Sequence, residues 1–149
     1  MTAEEVHAST EIRAHLAHCT QAGDARKADA YAACFALEGV LELRNETIAG
    51  RAAIRAWMRA PSVIPAPADG APGFVSHHLT TCSIDFTGTN TATARTYWLV
   101  TSAAGLDHNG FYADLLVREQ GEWRIAHRRP RTLWVSPASV LHGGGSLEA

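Results

Sequence analysis

GFYADLLVREQGEWRIAHRR, residues 110–129, decides the fold. It reads as two strands around one tight turn. Phe111, Ala113, Leu115 and Val117 alternate with Tyr112, Asp114, Leu116 and Arg118. After Gln120-Gly121-Glu122, Trp123, Ile125 and His127 alternate with Arg124, Ala126 and Arg128. A period of two gives a sheet with two chemically different faces. The glycine sits where a hairpin turn needs a positive φ. Tyr112, Asp114 and His127 interrupt otherwise apolar strands, which predicts a sheet wall lining a pocket.

Working outward, the segments from Phe74 to Phe86 and from Thr91 to Ala104 read as two further strands joined by TGTN. Gly105 to Asn109 is expected to close the second of them. The last strand is expected to run on through Trp134. Ahead of these strands lies a proline-rich loop, Pro61 to Gly73, long enough to act as a lid. Arg51 to Arg59 is helical, with Ile54, Trp57 and Met58 inward, and Pro61 stops it. Val40 to Arg44 and Thr47 to Ala49 are short and β-prone. A capping box at Thr2 and Glu5 opens a first helix carrying Ile12, Leu16 and Cys19 on one face. Gly23 is expected to end it. Asp24 then opens a second helix, ARKADAYAACFAL, with Tyr31 and Phe35 on one face, ending near Gly39. Helices first and a strand meander last is an α+β arrangement, a curved and mostly antiparallel sheet with helices on one face. It encloses a conical cavity suited to a small apolar molecule. Residues 1–135 are expected to form one domain and 136–149 a flexible tail.

Length and composition narrow the function. At 149 residues the chain holds one domain with a real core. Thirteen basic against fifteen acidic residues give a net charge of -2, with no lysine-rich run. That argues against nucleic acid and membrane as partners. No apolar stretch is long enough to span a bilayer, and the N-terminal region has no apolar signal core. Cys19, Cys34 and Cys82 lack C-x-x-C spacing and read as reduced, buried thiols, which predicts a cytoplasmic protein. No histidine or cysteine spacing fits a metal site, no G-x-S-x-G is present, and no Gly-rich loop suggests a nucleotide.

Four pieces carry a resemblance: AGDARKADAYAACFALEGV at 22–40, GRAAIRAWM at 50–58, HHLTTCSI at 77–84, and the hairpin. In this order they resemble SnoaL-like domains of the scytalone-dehydratase type, members of the α+β cone-fold superfamily that includes nuclear transport factor 2 and ketosteroid isomerase. In scytalone dehydratase a histidine opening the first long strand after the loop helps activate a water and move protons. An aspartate ending the first helix pairs with a second histidine. The resemblance places these roles on His78 and Asp24. The second histidine would fall near the end of TATARTYWLVTSA, where this chain has Thr101 and Ser102. The family's first-strand tyrosine is replaced by Leu43 and Arg44. These departures argue against scytalone as substrate and leave a related lyase or isomerase with another proton relay. The superfamily also contains binding modules and ring-hydroxylating dioxygenase β subunits, so the fold alone does not fix function.

The candidate residues each carry a structural alternative. Adjacent strand residues face opposite ways, so one of His77 and His78 can reach the pocket, and the resemblance selects His78 as general base or acid. Asp24 is either a helix N-cap or the group that orients the histidine. Tyr112 is a hydrogen-bond donor to developing charge, or a tyrosine reaching the rim. Asp114 takes part in the site, or forms a structural ion pair with Arg128 or Arg95. His127 lines the pocket or is a satisfied core residue. Arg44 clamps an acidic or phenolic group or is solvated. Tyr31, Trp57 and Tyr97 supply an aromatic lining, which favours an aromatic or polycyclic ligand. The expected function is a cofactor-independent lyase, dehydratase-like, or an isomerase, working by general acid–base catalysis without a metal. The alternative is a non-catalytic small-molecule binding module or an oxygenase β-type subunit. A homodimer or higher homo-oligomer is expected.

Overall fold

The computed structural model describes residues 1–61, 64, 69–70 and 73–141. Helix α1 (Ala3–Asp24) opens on the expected capping box. The Glu5 amide donates to the Thr2 hydroxyl at 3.1 Å, and the Thr2 amide donates to the Glu5 carboxylate at 2.7 Å. Ala8, Ile12, Leu16 and Cys19 form its buried stripe. The helix does not stop at Gly23 but runs through Asp24. Arg26, at φ 57°, then turns the chain in the left-handed region. Asp24 is therefore the last residue of α1, not the cap of the next helix, whose N-cap is Lys27 without a side-chain bond.

Helix α2 (Ala28–Ala33) is much shorter than the sequence pattern suggests. The sheet takes over the backbone groups a longer helix would need. The Ile125 amide donates to the Cys34 carbonyl at 2.9 Å, and the Leu37 amide donates to the Glu119 carboxylate. Strand β1 (Phe35–Glu42) follows, then β2 (Thr47–Ala49), α3 (Arg51–Arg59), β3 (Val75–Gly88), β4 (Thr91–Ser102), β5 (Gly105–Glu119) and β6 (Glu122–Val135). Residues 105–109, expected as a closing loop, belong to β5. The six strands form one mixed sheet in the order β2-β1-β6-β5-β4-β3. β1 runs parallel to β6 and every other pair is antiparallel. The fold is α+β and cone-like: α1 contacts β3 and β6, and α3 contacts β1 and β2, so the helices cover the inner face of the curved sheet. Gly110 marks its tightest point. A Cβ there would lie 2.6 Å from the Trp98 ring and 2.1 Å from the Arg131 carbonyl oxygen.

One irregularity in the closing hairpin changes which residues face inward. Leu115 pairs with His127, but the next residue, Leu116, pairs with Ile125, so Ala126 is an extra residue in β6. A bulge of this kind shifts the alternation to the other face. Trp123 and Ile125 are buried before it, Arg128 and Pro130 after it. His127 is carried outward, its side chain 42% exposed and its Nε2 3.4 Å from Glu42. The expectation that His127 shares the inner face with Trp123 and Ile125 is thus overturned.

The cysteine reading also changes. Cys19 and Cys34 form a disulfide, with Cα atoms 5.9 Å apart, and Cys82 is free. Spacing in sequence could not show this, because the turn between α1 and α2 brings the two together. The pairing removes the cysteine argument for a reducing compartment. No helix among the described residues is long and apolar enough to cross a membrane. The lid expected over residues 61–73 lies largely outside the described residues, as do 142–149 of the expected tail.

A cross-link closing a loop with a sequence separation of 15 restricts the unfolded chain. It should stabilise the fold by about 3 kcal/mol. Urea unfolding with and without a dithiol reductant should show that loss, and Cys34→Ser should reproduce it. Identical midpoints under both conditions would reject the staple.

Candidate functional site

A cavity of about 380 Å³ opens between the helices and the inner sheet face. Its apolar wall comes from Leu41, Leu43, Trp57, Met58 and Val75, its polar end from Asp24, Tyr31, His77, Tyr112 and Arg128. The centre of that end is a pair. The Asp24 carboxylate, at the end of α1, accepts from the His77 ring nitrogen Nδ1 at 2.7 Å. Its other oxygen accepts from the His77 backbone amide at 2.8 Å. An ionised carboxylate can only accept, so Nδ1 carries the proton and Nε2 is the basic nitrogen. The Trp98 ring, 5.9 Å away centre to centre, flanks the imidazole.

His77 takes the place expected for His78. His77 pairs with Val100 of β4, and both are on the inner face. His78 is exposed on the opposite face, and its Nε2 is 3.1 Å from the Thr101 hydroxyl. The geometric rule that one of the two reaches the pocket was legible in sequence, but the strand register decides which.

Arg128 and Asp114 form the second polar element. Arg128 donates through Nε and Nη2 to the two Asp114 oxygens, each at 2.8 Å. The residues are 2% and 4% exposed. The expected structural ion pair is the one with Arg128, not Arg95. Burial works against the guanidinium charge, but the Asp114 carboxylate outweighs it and holds the Arg128 pKa above its ordinary value. The guanidinium carbon lies 4.0 Å from the centre of the Tyr112 ring. Burial also pushes the Tyr31 and Tyr112 hydroxyls above the ordinary phenol range, so both are proton-bearing donors at neutral pH.

Of the other sequence candidates, Tyr31 and Trp57 line the cavity. Tyr97, 42% exposed, packs on Phe111 and Arg95 on the outer face. Arg44 is exposed in the β1–β2 turn, and neither it nor His127 is among the lining residues. Arg128 as a lining residue was missed. Its one signal was the charge of Asp114 across the hairpin. Leu141 was missed too: residues 136–141, assigned to a tail, are held against the sheet, and Leu141 lines the cavity.

Asp107 does that holding. It accepts from Ser102 at 2.7 Å, Ser139 at 2.5 Å, the Val140 amide at 2.9 Å and His108 Nδ1 at 2.7 Å. Burial alone would raise its pKa, but these donors outweigh that and bring it down to about 2. Burial lowers the pKa of the neighbouring His108, and of His15 on α1. Among the described residues, His15, Cys19 and Cys34 are the one grouping of three metal-capable side chains, and the disulfide occupies both sulfurs.

A SnoaL-like domain model matches residues 4–129. The chain belongs to the SnoaL-like domain family. Among solved structures it is similar to Rv3472, a function-unknown protein from Mycobacterium tuberculosis solved as an Asp-to-Asn variant. The identity is 29%, the TM-score 0.71, and the match covers 89% of this chain and 75% of that one. It is similar to a scytalone dehydratase candidate from Novosphingobium aromaticivorans at 20% identity and TM-score 0.77, covering 91% of each chain. A hexachlorocyclohexane dehydrochlorinase, LinA type 2, shares 11% identity with TM-score 0.73, covering 91% of this SnoaL-like chain and 92% of its own. At 20% and 11% identity these two likenesses show the fold. Among curated proteins none matches the sequence.

The buried titratable groups set the acid response. His108 and His15 stay neutral in the folded protein, while an unfolded chain protonates them below about pH 6.5. Their contribution is complete above that pH and is lost as pH falls below it. Asp107 follows in a second window. Its contribution is present above about pH 3.8 and is lost as pH falls towards 2. It amounts to about 2 kcal/mol. Urea midpoints measured down a pH series should decline in these two stages, and Asp107→Asn should remove the second. A single step near pH 4 with no earlier loss would contradict the histidine assignment.

Proposed function

We propose that this SnoaL-like protein is a cofactor-independent lyase, dehydratase-like, or an isomerase. It would act by general acid–base proton transfer on a small hydrophobic, aromatic or polycyclic molecule. The Asp24–His77 pair at the polar end of an apolar cavity carries this reading. His77 Nε2 is the general base, and Asp24 fixes the tautomer and stabilises the imidazolium formed when a carbon-bound proton is taken. Tyr112 stands beside the pair as a donor to developing charge. The aromatic walls, Trp57, Tyr31 and Tyr112, suit a flat apolar ligand. Two fold relatives bear the names of enzymes that remove water or hydrogen chloride.

The test is turnover of a panel of aromatic β-hydroxy ketones and enones. His77→Ala and Asp24→Asn should each lower kcat by about 100-fold or more. His78→Ala should stay within about twofold, since surface changes of this kind are usually small. Ligand binding without turnover in the wild type would sink the enzyme reading and favour a carrier.

We also propose that the protein assembles through its outer sheet face, where Tyr97 and Leu115 are more than 40% exposed beside Phe111. Light scattering should give a mass near twice 16.0 kDa. A monomer at micromolar concentration would reject that.

A further inference from the structure

Among the charged residues that line the cavity, Arg26 takes no part in the polar end. Arg128 is held by Asp114, and both oxygens of Asp24 are taken by His77. Arg26 lines the cavity but is exposed, so it stands at the rim. From the turn after α1, its Nη2 reaches across to the carbonyl of Ala60, the C-cap of α3, which lines the cavity too. A guanidinium carries several N–H donors, and a carbonyl is a neutral acceptor. The contact steadies the side chain and cancels none of its charge. Arg44, the cation expected to clamp an acidic group, is off the lining, and Arg26 is in it.

The backbone at this position makes the residue type informative. The Arg26 amide donates to the Gly23 carbonyl and the Lys27 amide to the Ala22 carbonyl, each at 3.0 Å. These two bonds close the end of α1 as a Schellman motif, with Arg26 as its left-handed residue at φ 57°. Glycine is the ordinary occupant, because a Cβ is disfavoured there. Among the described residues the other left-handed positions are Gly50, Gly70, Gly105, Gly121 and Gln120. Folding alone thus favours glycine at position 26. What arginine adds is a cation on a long stem that crosses the mouth of the cavity.

We infer that Arg26 is a specificity residue, and that the ligand of this cavity carries a carboxylate on the end of its apolar body that faces solvent. A planar guanidinium pairs with both oxygens of a carboxylate, and at a rim the ion keeps part of its hydration. The interior offers an anion less: Asp24 repels it, and the charge of Arg128 already faces Asp114. The charges therefore set the direction of entry. The carboxylate stays at the rim, and the apolar body passes between Leu41, Trp57 and Met58 towards His77. This rests on the reading of the cavity as the site of a small apolar molecule. It applies alike to a ligand that reacts there and to one that is only carried.

The test compares naphthoate with its neutral amide by isothermal titration calorimetry on the full chain. The two share an apolar body and differ in charge. Wild type should bind naphthoate about tenfold or more tighter at low salt, and the gap should narrow as salt is raised. Arg26→Gln should abolish the gap. Arg26→Gly, which suits φ 57°, should abolish it as well and decides the matter should Arg26→Gln not fold. A purely structural role would lower the affinity for both compounds alike and leave their ratio intact, which overturns the inference. Equal affinities in wild type, or binding of neither compound, overturn it too. So does a gap that survives both variants, which would move the anion to Arg128. Turnover of uncharged ketones tests the His77–Asp24 reading separately, and either result can occur without the other.

Discussion

A guanidinium cannot sit beneath an apolar cavity without a counter-charge, and the Arg128–Asp114 pair is the constraint around which the polar end of this cone is built. Removing two charges from water is costly, and their attraction offsets the cost when the geometry is bidentate and the remaining donors are used. Here Asp114 takes two donors, while the Tyr112 ring covers the face of the guanidinium. The Tyr112 ring on β5 is thus set by a cation on β6. Replacing either charge alone would strand the other.

That pair exists because of one residue. Without the extra Ala126 in β6, simple alternation would carry His127 inward and Arg128 to solvent. The hairpin's two strands, its turn and its role as a cavity wall are legible in the alternation of residues 110–129. The bulge is not, because nothing in RIAHRR marks one residue as unpaired. Asp114 supplied the sole hint, since a carboxylate on an apolar strand face demands a cation nearby. The same limit applies to HHLTT. Two adjacent histidines on a strand must diverge, and that much is local geometry. Which one turns inward depends on the pairing of β3 with β4, a long-range property that places His77 beside Val100.

Helix boundaries show the same division. The capping box at Thr2 and Glu5 is complete within four residues and could be read directly. The end of α2 could not, because the competing partners of its backbone, Ile125 and Glu119, lie more than eighty residues away in the chain. Asp24 was ambiguous for a related reason. A carboxylate after glycine and before an alanine-rich run fits an N-cap locally. Its actual partners, the amide and ring of His77, are 53 residues on.

The disulfide ties these features together. Cys19 and Cys34 bracket a segment that contains both Asp24, which holds the His77 ring, and Tyr31, which lines the cavity. The turn between them includes a left-handed Arg26 and a short helix without a side-chain cap, which is weak local structure. Its order must come from outside: from the cross-link at its ends, from His77 on Asp24, and from Phe35 packed edge-on against Tyr31. The sheet therefore does more than line the cavity. By holding one imidazole at a fixed register, it positions the Asp24 side chain at the end of a helix whose following turn could not position it alone.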